Sequence, residues 1–298
     1  MTTPLTLQTP AKVNFVLEVL GQRSDGFHEL SVIFQTIALF DELDISKSDS
    51  GVHLQILESP EPLAGDDSNL IVKAARLFFR EVLGRESDVL IRLKKRIPLA
   101  AGLGGGSSDA ACVLIGLNQL YGAKAAPPLL ESLAAQLGSD VPFFLHGGTA
   151  LGTGRGEILT PLEAAPEMSL VLVKPVKGLS TPAVYRSGKA LISSGERTRN
   201  FKGLLLEKNP HKIADSLFNS LQPAAFYLMP EVKEIREELI KAGALGALVS
   251  GSGPTVFGIA ESDNAAGRIA DRMRKKNRLV LVTRTIGAGV SEIRNFKK

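Results

Sequence analysis

The chain of 298 residues carries 35 basic against 31 acidic side chains, a net charge of +4, and is 44% hydrophobic and 22% charged. That is the make-up of a globular protein of one or two domains: no run of 18 apolar residues offers a membrane span, residues 1–10 have neither the basic start nor the apolar stretch of a secretory signal, and the single Cys112 cannot form an internal disulfide. With aromatics at 5% and no Trp, the clusters at 92–96 and 272–278 read as solvated faces rather than a nucleic-acid stripe, so a cytoplasmic protein with no membrane or nucleic-acid partner is expected.

In chain order, residues 6–21 alternate as a strand, which predicts Val13, Phe15, Leu17 and Val19 on one face. A turn at 23–26 leads to strands at 31–39, 42–46 and 51–57. Residues 70–83 have the spacing of an amphipathic helix capped by Asp66, Asp67 and Ser68, and 88–93 that of a strand. A glycine-rich run then opens a helix over 107–121, where Cys112 reads as a small buried apolar residue. A second helix follows at 128–137, its start fixed by Pro127-Pro128. The glycines of 147–157 suggest a bulged strand and turn. Residues 161–167 read as the seam between domains 1–163 and 164–298. Beyond it come a strand at 169–174, a helix near 182–190, a polar loop at 193–200 and helices at 214–227 and 231–242. Strands at 247–250 and 255–260 flank the turn Gly251-Ser-Gly-Pro254, and a helix at 264–275 and a strand at 279–285 complete an α+β sandwich.

The stretch Pro98-Leu-Ala-Ala-Gly-Leu-Gly-Gly-Gly-Ser-Ser-Asp-Ala110 carries the most chemistry. Its glycines permit positive φ and close approach to a ligand. A helix starting at Ser107 would aim free N–H groups and the positive dipole end at the loop, the makings of a phosphate site. A solvated linker would not need the apolar Leu99, Ala100, Ala101 and Leu103. The loop is no Walker A sequence, since Gly106 stands where the Lys belongs, and in a G-x-G-x-x-G frame the last position falls on Ser107. With Pro98, Gly102, Leu103, Gly104, Ser107 and Ser108 in register, it resembles the ATP-phosphate loop of the GHMP kinases.

Three further segments extend that resemblance: Pro10-Ala-Lys-Val-Asn14, Asp25-Gly-Phe-His28 and Gly138-Ser-Asp-Val-Pro-Phe-Phe144. Together with the turn at 251–257 it runs from about Thr9 to Ala260, and the first two segments are similar to members acting on a cytidine diphosphate alcohol. The resemblance implies a two-domain α+β fold, with an N-terminal ribosomal-protein-like ATP-binding domain and a C-terminal α/β sandwich domain. It implies ATP and Mg²⁺, a small-molecule cytidine diphosphate substrate and a monomer or weak homodimer. The ATP loop would be Pro98, Leu99, Ala100, Ala101, Gly102, Leu103, Gly104, Gly105, Gly106, Ser107 and Ser108, with Ser108 also a Mg²⁺ contact.

Phosphoryl transfer to an alcohol needs a base near the hydroxyl proton. Asp140, beside a proline and apolar residues, reads locally either as a helix cap or as that base; the resemblance implies the base. Lys12, on an otherwise apolar strand, would be a snorkelling residue by itself, and is implied to be the partner that keeps Asp140 ionised. Asn14 shares the face of Lys12 by strand periodicity and could bind substrate hydroxyls or orient the lysine. The resemblance makes His28 the cytosine contact, with Phe27, where the family usually has Tyr, as a stacking face and Tyr185 on the opposite side of the base. Ser220 stands where the family has an acid. His53, His146 and His211 lack metal-ligand spacing. Two alternatives compete: a GHMP kinase for a different alcohol, and an RNA-binding protein, which a steep salt dependence of binding would reveal.

Overall fold

Two long antiparallel strands, β1 (Leu5–Gln22) and β2 (His28–Lys47), form the spine of the computed structural model, which describes residues 4–290. The pairing slips at Pro10/Ala11, Asn14/Val16 and Val19/Gly21. The first slip leaves two extra residues on β2 and the other two each leave one extra on β1, and each re-aims the side chains that follow. The expected single face is therefore split. Val13 and Phe15 enter the core between the two sheets, whereas Leu17 and Val19 join Leu7 in the core on the helix side. The same slips give Lys12 and Asn14 places on the helix side, where unbroken alternation would have put apolar residues.

The strand β3 (Gly51–Glu58) precedes α1 (Leu70–Phe78), which continues into one wider turn at Phe79–Leu83. Its cap is Asn69, whose side chain accepts from the Ile71 N–H, while Asp66 closes a local turn onto Ser68. Next come β4 (Asp88–Lys94), α2 (Gly105–Leu120), α3 (Pro127–Leu137), the six-residue α4 (Val141–His146), β5 (Thr149–Gly154) and β6 (Ile158–Pro161). β2 is unbroken where two strands were expected. Asp41 lies within it, buried, because its carboxylate accepts the N–H groups of Arg96 and Ile97.

The second half supplies β7 (Ser169–Pro175), α5 (Thr181–Arg186), α6 (Glu196–Glu207), α7 (Pro210–Asp215), β8 (Phe218–Asn219) and α8 (Gln222–Leu228). It ends with α9 (Pro230–Lys241), β9 (Gly246–Val249), β10 (Val256–Ala260), α10 (Asp263–Met273) and β11 (Arg278–Arg284). Part of the polar run expected as a loop at 193–200 is the first turn of α6. Its N-terminal donors are met by a residue far off in sequence: Glu18 of β1 accepts from the N–H of Thr198 at 2.9 Å and of Arg197 at 3.4 Å. The expected helix at 214–227 is interrupted by β8. Asn219 there donates to the carbonyls of Val249 (2.8 Å) and Gly251 (2.7 Å) while accepting from Leu221 N–H.

The first sheet runs β3-β4-β2-β1-β8, with β5 on the near half of β2 and β6 beyond it; the second runs β11-β7-β10-β9. β8 pairs parallel to β1, so residues well past 163 complete the first sheet. Helices α1–α4 cover one face of the first sheet, its other face meets the second sheet, and α9 and α10 cover the outside. The inter-sheet core centres on Phe15, whose ring lies 5.7 Å from Phe201 and 6.4 Å from Phe257. Each such ring, fully buried, contributes up to about 3 kcal/mol by area. Cys112 is buried in the helix-side core.

Candidate active site

A cleft of about 1110 Å³ opens where the glycine loop, the start of β1, Asp140 and the 251–252 turn converge. That is larger than the roughly 300–1,000 Å³ of a single small-molecule pocket, and leaves room for two nucleotide-sized ligands.

One end of the cleft is built by the start of α2. The helix begins at Gly105, two residues earlier than expected, after Gly104 in the left-handed region at φ 73°. Its first internal bond runs from Ser108 N–H to the Gly104 carbonyl at 2.9 Å. Helical geometry thus leaves the N–H groups of Gly105, Gly106 and Ser107 without partners inside the helix. All three residues line the cleft, as do Pro98, Leu99, Ala100, Ala101, Gly102, Leu103 and Gly104. Two glycines serve packing as much as a ligand. A Cβ on Gly102 would fall 2.1 Å from the Ser250 carbonyl oxygen, and one on Gly104 would fall 2.7 Å from the Phe144 ring. Leu103 ties the loop to the sheet, its carbonyl accepting the Lys12 N–H at 3.0 Å.

Ser108 departs from expectation. It is fully buried, and its hydroxyl donates to the Pro10 carbonyl at 2.6 Å and touches the Thr9 hydroxyl. It faces β1 and does not line the cleft, because the α2 turn that aims Ser107 outward turns the next side chain inward. Among the described residues no group of three or more His, Cys, Asp or Glu stands together to hold a metal ion. The residues at the cleft do not form a metal shell of their own.

At the centre lie Lys12, Asn14 and Asp140. Asp140 occupies the cap position of α4 yet makes no cap bond; Pro142, in the first turn, removes one N–H a cap would use. Its carboxylate instead faces Lys12 Nζ at 3.4 Å, with the lysine buried and the acid one-third exposed toward the cleft. Lys12 Nζ also donates to Asn14 Oδ1 at 2.8 Å and lies 5.8 Å from the Phe34 ring. The second-domain turn closes on the pair: a Cβ on Gly251 would meet Lys12 Nζ at 3.3 Å and Asn14 Oδ1 at 3.4 Å. A carboxylate beside an ammonium, open on one side, is suited to taking a proton from a hydroxyl.

Phe27, His28 and Tyr185 line the far end. The His28 and Tyr185 rings meet at a tilt of 31° with centroids 4.9 Å apart. Inserting a base between them would need about 7 Å, two contact layers of about 3.5 Å, so a base reaching that face of Tyr185 must displace His28. Burial, with the charge of Asp140, pushes the Tyr185 phenol up. Phe27 is 53% exposed, its ring covered on one side by the Arg155 guanidinium at 5.0 Å. Ser220 is buried, its hydroxyl accepting the Val19 N–H at 3.1 Å, and plays a packing part. Sequence reasoning missed Arg155, Thr181 and Ser252, which also line the cleft. Arg155 had a signal in the glycine-flanked turn Gly154-Arg-Gly156. The Thr181–Ser252 hydroxyl bond of 2.7 Å, across 71 residues, had none.

Comparison with known proteins fits this geometry. The sequence matches the GHMP kinases N terminal domain over residues 69–148 and the GHMP kinases C terminal domain over 201–279. It is 44% identical over 282 residues to 4-diphosphocytidyl-2-C-methyl-D-erythritol kinase of Pelotomaculum thermopropionicum, covering 94% of this chain and 98% of the relative. The corresponding Synechocystis enzyme is 38% identical, covering 97% and 99%. A crystal structure of 4-(cytidine 5'-diphospho)-2C-methyl-D-erythritol kinase superposes with a TM-score of 0.78 at 38% identity, over 95% of this chain and all of that one. A homoserine kinase from Cytophaga hutchinsonii shares the fold at a TM-score of 0.76 and 22% identity, over 97% and 96%. The chain belongs to the GHMP kinase family, on its 4-diphosphocytidyl-2-C-methyl-D-erythritol kinase branch.

Proposed function

We propose that this ATP-dependent kinase phosphorylates the 2-hydroxyl of 4-diphosphocytidyl-2-C-methyl-D-erythritol, giving the 2-phosphate and ADP, in the non-mevalonate route to isoprenoid precursors. The observation that carries the chemistry is the Lys12–Asp140 pair in the middle of a cleft with a helix N-terminus at one end and aromatic rings at the other. In this reading the free N–H groups of Gly105, Gly106 and Ser107 hold the ATP phosphates. Asp140 accepts the hydroxyl proton as the alcohol oxygen bonds to the γ-phosphorus. The bond from that phosphorus to the ADP oxygen breaks in line, and ADP carries away the electron pair. Lys12, 3.4 Å from the Asp140 carboxylate, orients it and offsets charge gathering on the transferred group. Asn14, 2.8 Å from Lys12 Nζ, orients the lysine or meets a substrate hydroxyl. Phe27, His28 and Tyr185 receive the cytosine. A Mg²⁺ ion would be held by the nucleotide rather than by carboxylates of this chain, and would supply neutralisation of phosphate charge. The same reading makes the chain a cytoplasmic protein, monomeric or weakly dimeric. Coupled ADP release with the cytidine diphosphate alcohol, its uridine analogue, homoserine and mevalonate tests it. The expected order puts the cytidine compound first by at least about a hundredfold in kcat/KM, the selectivity of a site that hydrogen-bonds its substrate. Equal rates on homoserine or mevalonate would defeat it.

A further inference from the structure

Beneath the glycine loop lies a cluster of three buried charges that phosphoryl transfer does not use. Lys95, at the end of β4, is 1% exposed in its side chain; Asp41 of β2 and Asp109 of α2 are 0% and 3%. Lys95 Nζ bonds to Asp41 Oδ2 and, at 2.8 Å, to Asp109 Oδ2. Asp41 Oδ1 accepts the N–H groups of Arg96 (2.5 Å) and Ile97 (2.8 Å), the residues that lead into the loop. Asp109 Oδ1 has no hydrogen-bond partner among the described residues. The ammonium lies directly against the phosphate-binding turn: a Cβ built on Gly105, first residue of α2, would stand 2.9 Å from it, and Lys95 contributes to the cleft wall.

We infer that Lys95 is a positioning residue for ATP, holding the two acids under the first turn of α2 and cancelling their charge where the nucleotide phosphates arrive. Shape alone does not explain the trio. Apolar side chains of the same volume would join these three segments as well or better, since burying ions costs more than their attraction returns. Asp41 is tied by its carboxylate to Lys95 and to the two N–H groups that lead into the loop. Without Lys95 its charge stands uncompensated next to the anion site, against the helix dipole that draws phosphate there. The inference rests on reading this cleft as the ATP site.

The test measures binding of ATP, ADP and adenosine by competition at pH 8, in the full-length wild type, Lys95→Met and Asp109→Asn. By Coulomb's law a unit charge at a separation of about 10 Å and an effective dielectric of about 20 is worth roughly tenfold in binding. Lys95→Met should therefore weaken ATP by about tenfold, ADP by less and adenosine by under about twofold. Asp109→Asn keeps the shape and the acceptor for Lys95 but removes an acid, so ATP should tighten about threefold with adenosine unmoved. ATP and adenosine weakened equally in Lys95→Met, or ATP unaffected there, would make the lysine merely structural and overturn the inference. Should Lys95→Met fail to fold, Asp109→Asn decides: unchanged or weaker ATP binding overturns it. A wild type that binds ATP but does not phosphorylate the cytidine diphosphate alcohol refutes the proposed function and leaves this inference standing. One that binds no ATP removes both.

Discussion

Alanine placed at Gly102 and at Gly106, in one loop, should separate the loop's two duties. Gly102 has φ 74°, and a Cβ there would stand 2.1 Å from the Ser250 carbonyl oxygen and 3.0 Å from that of Gly253. Both obstacles are backbone and cannot swing aside. The left-handed conformation costs a non-glycine residue about 1–2 kcal/mol, and forcing the turn at 250–253 to retreat adds about 1–3 kcal/mol of overpacking. The retreat also strains the 2.9 Å bond from Ser250 Oγ to the Gly102 carbonyl. Gly102→Ala should lose roughly 2–5 kcal/mol, a fall in Tm of about 3–8 °C for a chain of this size. Gly106 is helical, and the nearest atom to its Cβ would be Leu70 Cδ1 at 3.7 Å. Alanine there gains up to about 1 kcal/mol of helix propensity and leaves Tm level or slightly raised. Its methyl would stand in the cleft, so KM for ATP rises. Calorimetric melts together with ATP kinetics on both variants decide the matter. A Gly102→Ala protein as stable as wild type, or a Gly106→Ala protein destabilised as much as Gly102→Ala, would refute the division.

Other outcomes follow from the same geometry. Asp140→Asn should lower kcat by about 10²–10⁴-fold with KM for ATP nearly constant; near-normal turnover removes Asp140 from the chemistry. Phe27→Ala should weaken cytidine and uridine substrates alike, by about 1–3 kcal/mol of stacking, whereas His28→Ala should narrow the gap between them. Equal loss on both bases in His28→Ala would leave that residue a packing role against Tyr185. Burial pushes the Glu18 carboxyl up, but donors from Ser193, Thr198 and Arg197 more than offset it and hold it below its usual value of 4.5. A depressed folded-state value stabilises above the unfolded one and is lost as pH falls through the folded one. Glu18→Gln should therefore lower Tm at neutral pH and flatten its decline below about pH 4.5; an unchanged acid limb would contradict this.

What the sequence made legible was local chemistry. Residue types alone marked the glycine loop that opens α2 and lines the cleft, and the period of two put Lys12 and Asn14 on one face, where they now bond. Two of its failures share a cause: the deciding contact lies far off in sequence. A reader of residues 193–200 sees a polar run, because the acceptor that caps α6 is Glu18. The interruption of the 214–227 helix depends on Asn219 reaching the carbonyls of Val249 and Gly251. The loop resemblance put Ser108 at the cleft, whereas α2, starting at Gly105, turns its side chain inward onto Pro10. The bulges of β1 left no mark in its alternation, since all of Val13, Phe15, Leu17 and Val19 are buried either way.

The central claim is that Asp140, paired with Lys12, directs ATP onto the alcohol of a cytidine diphosphate substrate. A single-turnover reaction tests it most directly: excess wild-type enzyme, ATP labelled in its γ-phosphate, and 4-diphosphocytidyl-2-C-methyl-D-erythritol, with Asp140→Asn in parallel. The account predicts that the label moves to the 2-position of the erythritol in the wild type, and that the step slows by about a hundredfold or more in the variant. Label appearing as free phosphate whether or not the alcohol is present, or equal transfer by the variant, would contradict it.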